Sequence, residues 1–169
     1  IYKLNKNFLK RKVKEMKKAK NYFERLNKEI EKKEKAIKEF KQLKENNLTG
    51  GTSDEMLDMW RNTEAALRIA NSPSNGTYEA IRCWERFVRE KPEYIEVKDY
   101  IKGKDIEDLI NHFKLAGINE FVYSYTGTDA IINIFEFQKA GCTIDKAIEF
   151  KTIRYSTISK IKGILIKTK

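Results

Sequence analysis

The chain has 169 residues, of which 36% are charged, and its 35 Lys and Arg against 25 Asp and Glu give a formal net charge of +10. This length suits one compact domain, or a modest domain with an extended element. No apolar run is long enough for a membrane-spanning helix or a signal peptide. Cys83 and Cys142 match no metal or redox motif. They favour a reducing compartment, so membrane and disulfide-rich secreted classes are excluded.

The positive charge is concentrated at the two ends of the chain. Residues 1–47 hold 17 Lys and Arg against 7 Glu, residues 48–150 hold 12 basic and 18 acidic side chains, and residues 151–169 hold six basic ones and no acidic one. A basic cluster on one helix is typical of proteins that bind a phosphate backbone. Because most of these residues are Lys, we expect backbone contact rather than base reading. The alternative is a solvated Lys-rich helix without a ligand.

Residues 1–47 predict one long helix, with a coiled-coil-like seam that begins at Leu9. Its first row of seven-residue repeats is Leu9, Met16, Phe23, Ile30 and Ile37, and its second row is Lys12, Ala19, Leu26, Lys33 and Phe40. At 1.5 Å per residue such a helix is about 65–70 Å long, which exceeds the width of a domain of this size. We therefore expect it to project, to pack on a second helix, or to pair with another copy.

A second helix is predicted after the glycines at 50–51, which suit the end of the first helix. Thr52 or Ser53 is its expected N-cap. Apolar residues follow at three- to four-residue spacing until the turn at 71–76. Residues 50–52 are better explained by capping than by phosphate binding, since they lack a P-loop lysine.

Thr77 is the expected cap of a third helix, which stops before Pro92. The second and third helices each contain one tryptophan, Trp60 and Trp84. We expect these two side chains to anchor a helical pair rather than to stack on bases.

Residues 93–169 alternate between strand and helix patterns. Strands are predicted at 94–100, 118–125, 147–154 and 161–168, and helices at 105–117 and 128–141. The second of these helices, opened by Thr128 or Asp129, is apolar on most sides, so we expect it to be buried against the sheet. The predicted fold class is α+β, with three segments: a long basic coiled-coil-like helix (1–47), a helical pair (48–92) and an α+β module (93–169).

No catalytic or metal-binding motif is apparent. His112 forms an i, i+4 pair with Asp108, which we interpret as a surface pair, because no further ligands lie nearby in sequence. Neither cysteine has a neighbouring base that would activate its thiol, so both are expected to be buried and structural. The loop at 126–129 again fits a helix cap better than a phosphate site. We therefore expect no enzymatic activity, no cofactor and no metal.

Residues 106–142 carry a resemblance. The run LAGINEFVYS at 115–124 and the segment FQKAGC at 137–142 resemble a family of small uncharacterised proteins encoded by phages and conjugative elements of Gram-positive gut bacteria. The resemblance implies a C-terminal α+β module. Some small proteins of such elements are anti-CRISPR proteins, which bind and disable an RNA-guided nuclease. This implied role carries no functional residue over to the chain.

Together these observations predict a non-enzymatic phage or mobile-element protein that inhibits a host defence nuclease, in the manner of an anti-CRISPR protein, in the cytoplasm of the host bacterium. It would bind the CRISPR effector or another defence protein, with or without its DNA or RNA, through a basic helix face. The residues of that face are Lys10, Arg11, Lys12, Lys14, Lys17, Lys18 and Lys20. The alternatives are a sequence-nonspecific DNA- or RNA-binding accessory protein, and a structural protein that forms a homodimer through the N-terminal helix.

Overall fold

The computed structural model describes the backbone from Tyr2 to Lys169 and the side chains from Leu9 onward. In chain order the elements are α1 (Tyr2–Asn47), α2 (Asp54–Asn71), α3 (Asn75–Glu90), β1 (Glu96–Val97), α4 (Gly103–Ala116), β2 (Glu120–Tyr123), α5 (Ala130–Lys139), β3 (Thr143–Arg154) and β4 (Thr157–Lys167). The predicted α+β class is confirmed.

The chain divides into two compact units. Unit 1 comprises the residues up to Phe23 together with Ser74–Lys169, and unit 2 comprises Glu24–Pro73. The borders differ from those of the predicted segments 1–47, 48–92 and 93–169. The first border falls inside α1, and α2 and α3 belong to different units instead of forming one helical pair.

In unit 1, the first half of α1 packs through its seam residues. Ala19 and Phe23 are buried, and the Phe23 ring stacks on the indole of Trp84 in α3 with centroids 5.3 Å apart and planes 12° apart. Leu9, at the start of the predicted seam, is exposed. The heptad pattern thus reports packing inside the chain from Met16 onward, where the side chains become half-buried or buried.

A histidine bridge joins α1, α3 and α4. His112 Nδ1 is hydrogen bonded to the Tyr22 hydroxyl at 2.7 Å, and its Nε2 to the Thr77 hydroxyl at 2.8 Å. The prediction of a surface pair with Asp108 was therefore wrong, because the ring lies half-buried between helices. Burial lowers the pKa of His112, while the nearby Asp108 carboxylate acts in the opposite direction. The bridge suits a neutral imidazole, with one nitrogen donating and the other accepting.

Serines cap the second and third helices. The Ser53 hydroxyl accepts from the Met56 N–H, so of the two predicted caps it is Ser53 that caps α2. The α3 cap is Ser74, whose hydroxyl accepts from the Thr77 N–H at 3.2 Å. Thr77 was wrongly predicted as that cap. It lies inside the first turn of α3, where its hydroxyl serves the histidine bridge.

The strands form one sheet in the order β1-β2-β4-β3, with β1 parallel to β2 and the remaining neighbours antiparallel. The predicted strand at 94–100 is confirmed in place, but only Glu96–Val97 pair as β1. β3 and β4 are longer than predicted because they meet at a two-residue turn, Tyr155–Ser156, whose φ angles are 51° and 64°. Such turns usually carry Gly or Asn, so the sequence gives little sign of this one.

The sheet curls until its two edges meet. The Glu93 N–H donates to the Lys151 carbonyl at 3.2 Å, and the Lys151 N–H donates to the Glu93 carboxylate at 2.7 Å. Inside the curl, Val122 and Phe150 belong to a buried cluster. A Cβ at Gly163 would lie 2.5 Å from Val122 Cγ1, so this close packing requires glycine on β4.

A buried ion pair crosses the inside of the curl. The Glu96 side chain is 2% exposed and accepts hydrogen bonds from Arg154 at both oxygens, as well as from the hydroxyls of Ser124 and Thr152. Burial acts to raise the pKa of Glu96, but the hydrogen bonds from Arg154 and Ser124 outweigh it, so the pKa lies below its usual value. Because β1 and β3 are the two edge strands, this pair holds the curl closed.

The opposite face of the sheet is covered by α4 and α5. The Phe121 ring of β2 makes edge contacts with Phe113 of α4 and Phe137 of α5, at centroid distances of 5.4 and 5.3 Å. Asn133 is fully buried among them. Its amide accepts from the Ile101 N–H and the Tyr123 hydroxyl and donates to the Ile101 carbonyl, which explains a polar residue in this core.

The α5 helix is less buried than its apolar sequence predicted. Only Asn133 and Phe137 are buried, whereas Ile131, Ile132 and Phe135 are between 47% and 59% exposed. The reason is that α4 and β3 contact one side of the helix only. Asp129 occupies the cap position, but its carboxylate accepts from the Tyr125 hydroxyl instead of capping the helix.

We expect Arg154→Leu to lower the free energy of unfolding by about 3–5 kcal/mol at pH 7, because it leaves a buried carboxylate unpaired. The same change raises the pKa of Glu96, so protonation relieves the unpaired charge and the deficit should narrow as the pH falls from 7 to 5. Urea denaturation at both pH values measures it. A cost under about 1 kcal/mol, or a deficit independent of pH, would contradict this role.

We expect His112→Gln to cost about 1–2 kcal/mol of stability at pH 7 through lost hydrogen bonds. The folded pKa of His112 lies below its unfolded value. The unfolded state therefore binds more protons below about pH 6.5, and the wild type loses stability there while the variant does not. The difference in the free energy of unfolding between the wild type and the variant should therefore shrink towards pH 5. Thermal unfolding between pH 5 and 8 measures it, and a difference that grows at low pH would refute a neutral bridge.

Candidate nucleic-acid interface

The first half of α1 presents a defined outward side because its other side is anchored. Ala19 and Phe23 lie in the core of unit 1, and Tyr22 is held by the histidine bridge. With about 100° of rotation per residue, these anchors determine which of the predicted basic side chains face away from unit 1.

Four of the seven predicted site residues lie within an arc of about 100° on the outward side. We call them the outward lysine row, and they are Lys10, Lys14, Lys17 and Lys18. All four are exposed. Glu15 is the single acidic residue between positions 9 and 23, and it lies outside this arc. The row is therefore a one-sign surface on a rigid element.

Lys18 is at the edge of the row, beside the C-terminal end of α4. A Cβ at Gly117, the residue that ends α4 with a φ of 76°, would lie 2.9 Å from Lys18 Cδ. The helix end predicted at Gly117 is confirmed. An ammonium group near a helix C-terminus is in a favourable field, so Lys18 also helps to position α1.

The other three predicted residues have different surroundings. Arg11 forms an exposed ion pair with Glu15 at 3.2 Å, and such pairs contribute little to stability. The Lys12 ammonium lies 6.0 Å from the centre of the Tyr94 ring. Lys20 lines a groove beside α3, which Lys17 of the outward lysine row also borders. The seven side chains therefore do not form one face, as the sequence had suggested.

The groove beside Lys20 has a volume of about 380 Å³. Apolar groups form most of its lining, and its charged members are all lysines. The lining residues are Met16, Lys17, Lys20, Trp84, Phe87, Val88, Lys91 and Pro92. Sequence reasoning missed it, since Lys91 and Pro92 were interpreted only as the end of α3. Lys91 ends that helix in a left-handed conformation, with a φ of 49°.

A second cavity, of about 240 Å³, lies between the first half of α1 and the loops before β1 and β2. Arg11, Lys12, Glu15, Glu93 and Glu120 all line it. The mixture of charges makes this cavity a poor site for a polyanion.

The two cysteines show no reactive arrangement. Cys83 and Cys142 are free thiols, and both are buried, as predicted. Burial raises the pKa of the Cys142 thiol to about 11 and raises that of Cys83 as well. Among the described side chains, no group of three or more His, Cys, Asp or Glu is arranged to hold a metal ion. In the described part of the chain, no helix combines the length and apolarity needed to cross a bilayer.

Comparisons with known proteins add a family. No curated protein matches the chain. No solved structure matches it either. A family model described as "Domain of unknown function (DUF7698)" matches residues 79–167, more than half of the chain, from the first turns of α3 to the end of β4. The chain therefore belongs to the DUF7698 family.

Proposed function

We propose that this protein is a non-enzymatic binding protein whose outward lysine row contacts the phosphate backbone of a nucleic acid. The observation that carries the proposal is a set of exposed lysines on one side of a helix whose opposite side is anchored in a core. A rigid helix holds these charges in place before binding, which lowers the entropic cost of forming the contacts.

The spacing of the row fits contacts to the backbone. Lys10, Lys14 and Lys17 follow one another at four and three residues, so the row is about 10 Å long. A charged row of this length can reach several phosphates of a strand. Lysine presents a point charge on a flexible stem and does not offer the paired donors that read bases. Binding should therefore be independent of nucleic-acid sequence.

The salt dependence of binding tests this proposal. Four phosphate contacts predict a slope of about −3.6 in log K against log salt for duplex DNA. Replacing Lys14 and Lys17 by Ser should reduce the slope to about −1.8, because two contacts are lost. Fluorescence anisotropy with a labelled duplex of random sequence measures both slopes.

The matched control replaces Lys160 and Lys162 by Ser. These two side chains are exposed on β4, so the change in net charge is the same while the outward lysine row stays intact. The control should keep a slope close to the wild-type value. Equal losses in the two variants would mean that overall charge, rather than the row, drives binding. A wild-type slope near zero would reject nucleic-acid binding altogether.

We propose as a second candidate that the protein inhibits a host defence nuclease of the CRISPR type. Two observations favour it: the resemblance of residues 106–142 to proteins of phages and conjugative elements, and the exposed apolar side of α5 within that same segment. Ile131, Ile132 and Phe135 would supply contacts to the effector protein, and the outward lysine row would compete for its nucleic acid.

A cleavage assay separates this candidate from plain nucleic-acid binding. An RNA-guided nuclease is assayed with and without the wild type and the double variant Ile131→Ser, Phe135→Ser. If the effector is contacted, the apolar variant should lose at least about tenfold in inhibitory potency while keeping the salt slope of DNA binding. If the apolar variant still inhibits and the Lys14 and Lys17 variant does not, competition for the nucleic acid is sufficient to explain the inhibition. The second candidate would then be rejected.

A further inference from the structure

The helix α2 of unit 2 carries two apolar stripes, of which its partner helix covers one. The inner stripe faces α1, where the Trp60 ring lies 5.5 Å from that of Phe40 and Glu64 forms an ion pair with Lys44. The other, which we call the outer stripe, comprises Met56, Met59, Thr63, Ala66 and Ala70, all exposed. None of the 18 residues of α2, all of them described, is fully buried.

The second half of α1 extends this uncovered surface. Leu43 is 53% exposed, Ala36 is exposed and Phe40 is half-buried. Leu43 and Ala36, like the outer stripe on α2, lie about a quarter turn from the side of their helix that faces the other helix, and Phe40 lies between these two sides. A six-residue loop, 48–53, joins the two helices into a hairpin. Because the helices run in opposite directions, both quarter turns lead to the same side. The uncovered apolar residues of the two helices therefore lie on one side of the hairpin.

We propose that this face binds the same face of a second copy of the chain, so that two hairpins form a four-helix bundle. The outer stripe repeats at intervals of three, four, three and four residues, which is the spacing of helices that pack side by side. Its second half is made of Thr63, Ala66 and Ala70, whose small side chains allow a helix to approach closely. The occupant that fits this pattern is a helix.

Charge favours a second copy over a nucleic acid or a strongly charged protein. Residues 24–47 of α1 hold eight basic and six acidic side chains, and α2 holds two basic and four acidic ones. Unit 2 is thus neutral as a whole, with a positive helix beside a negative one. When two hairpins pack face to face with α1 opposite the α2 of the other copy, opposite charges meet along both edges.

The size of the face is adequate for a dimer. α2 is about 27 Å long at 1.5 Å per residue, and a hairpin is about two helix diameters wide. The face therefore covers about 540–650 Å², which is near the lower end of what each partner buries in a stable interface, about 600 Å². The heptad seam of α1 is packed within the chain from Met16 onward, so this pairing uses a different surface from the one that the heptads indicated.

Sedimentation of the full chain tests the proposal. The wild type should be a dimer at micromolar concentration. Ala66→Glu introduces an unpaired charge into the interface and should weaken the dimer at least about 100-fold. Ile69→Glu is the matched control, because Ile69 is 83% exposed on the same helix but lies outside the outer stripe. It should leave the dimer intact. Circular dichroism of both variants should match that of the wild type.

Disulfide trapping gives an independent readout. Cys83 and Cys142 are buried, so introduced cysteines are the accessible thiols. Thr63 of one copy would face α1 of the other near Leu43, because Lys44 and Glu64 are level in the hairpin. Mild oxidation of a mixture of the single variants Thr63→Cys and Leu43→Cys should therefore yield a covalent dimer, and Ile69→Cys in place of Thr63→Cys should not. A wild type that still sediments as a monomer at about 100 times the micromolar concentration would overturn the proposal. Equal yields of covalent dimer from the cysteines at positions 63 and 69 would also overturn it. The face would then be left to a helix of another protein.

Discussion

The anchoring of α1 on unit 1 is the constraint on which the candidate site depends. A helix with basic residues all around it has no preferred binding side until something determines its rotation about its axis. The Phe23 ring stacked on Trp84 and the Tyr22–His112–Thr77 bridge provide that constraint. These contacts fix the rotation of α1, so core packing selects which lysines face outward. The stability of unit 1 and the geometry of the charged surface are therefore coupled.

The closure of the sheet is a second, independent constraint. Glu96 and Arg154 come from the two edge strands, and their buried ion pair forms only when the sheet curls fully. A buried ion pair adds little net stability, because the cost of removing both charges from water offsets much of their attraction. Its effect is to favour the one arrangement of the two edge strands in which both charges are paired. Gly163 also allows the sheet to curl, since a side chain at this position would collide with Val122. These features lie within the segment matched by the family model.

Sequence periodicity predicted the elements well and their environments less well. The helix end at Gly117 and the class of the fold followed from local patterns, which depend on nearby residues. Three predictions failed for reasons that are not local. His112 has hydrogen-bond partners on two other helices, and α5 packs on one side only. Ser74 rather than Thr77 caps α3, because the Thr77 hydroxyl is bonded to His112. The seven basic residues of the predicted site are all exposed, but which of them face away from unit 1 depends on how Phe23 and Trp84 anchor the helix.

The most direct test of the account is lysine acetylation footprinting, read by mass spectrometry with and without duplex DNA. It measures each lysine separately and so asks whether binding follows the side of α1 that core packing leaves outward. The account predicts that DNA protects the outward lysine row, Lys10, Lys14, Lys17 and Lys18. The modification of Lys12, which lies over the Tyr94 ring on another side of the helix, should stay unchanged. Equal protection of Lys12 and Lys14, or protection of neither, would contradict it.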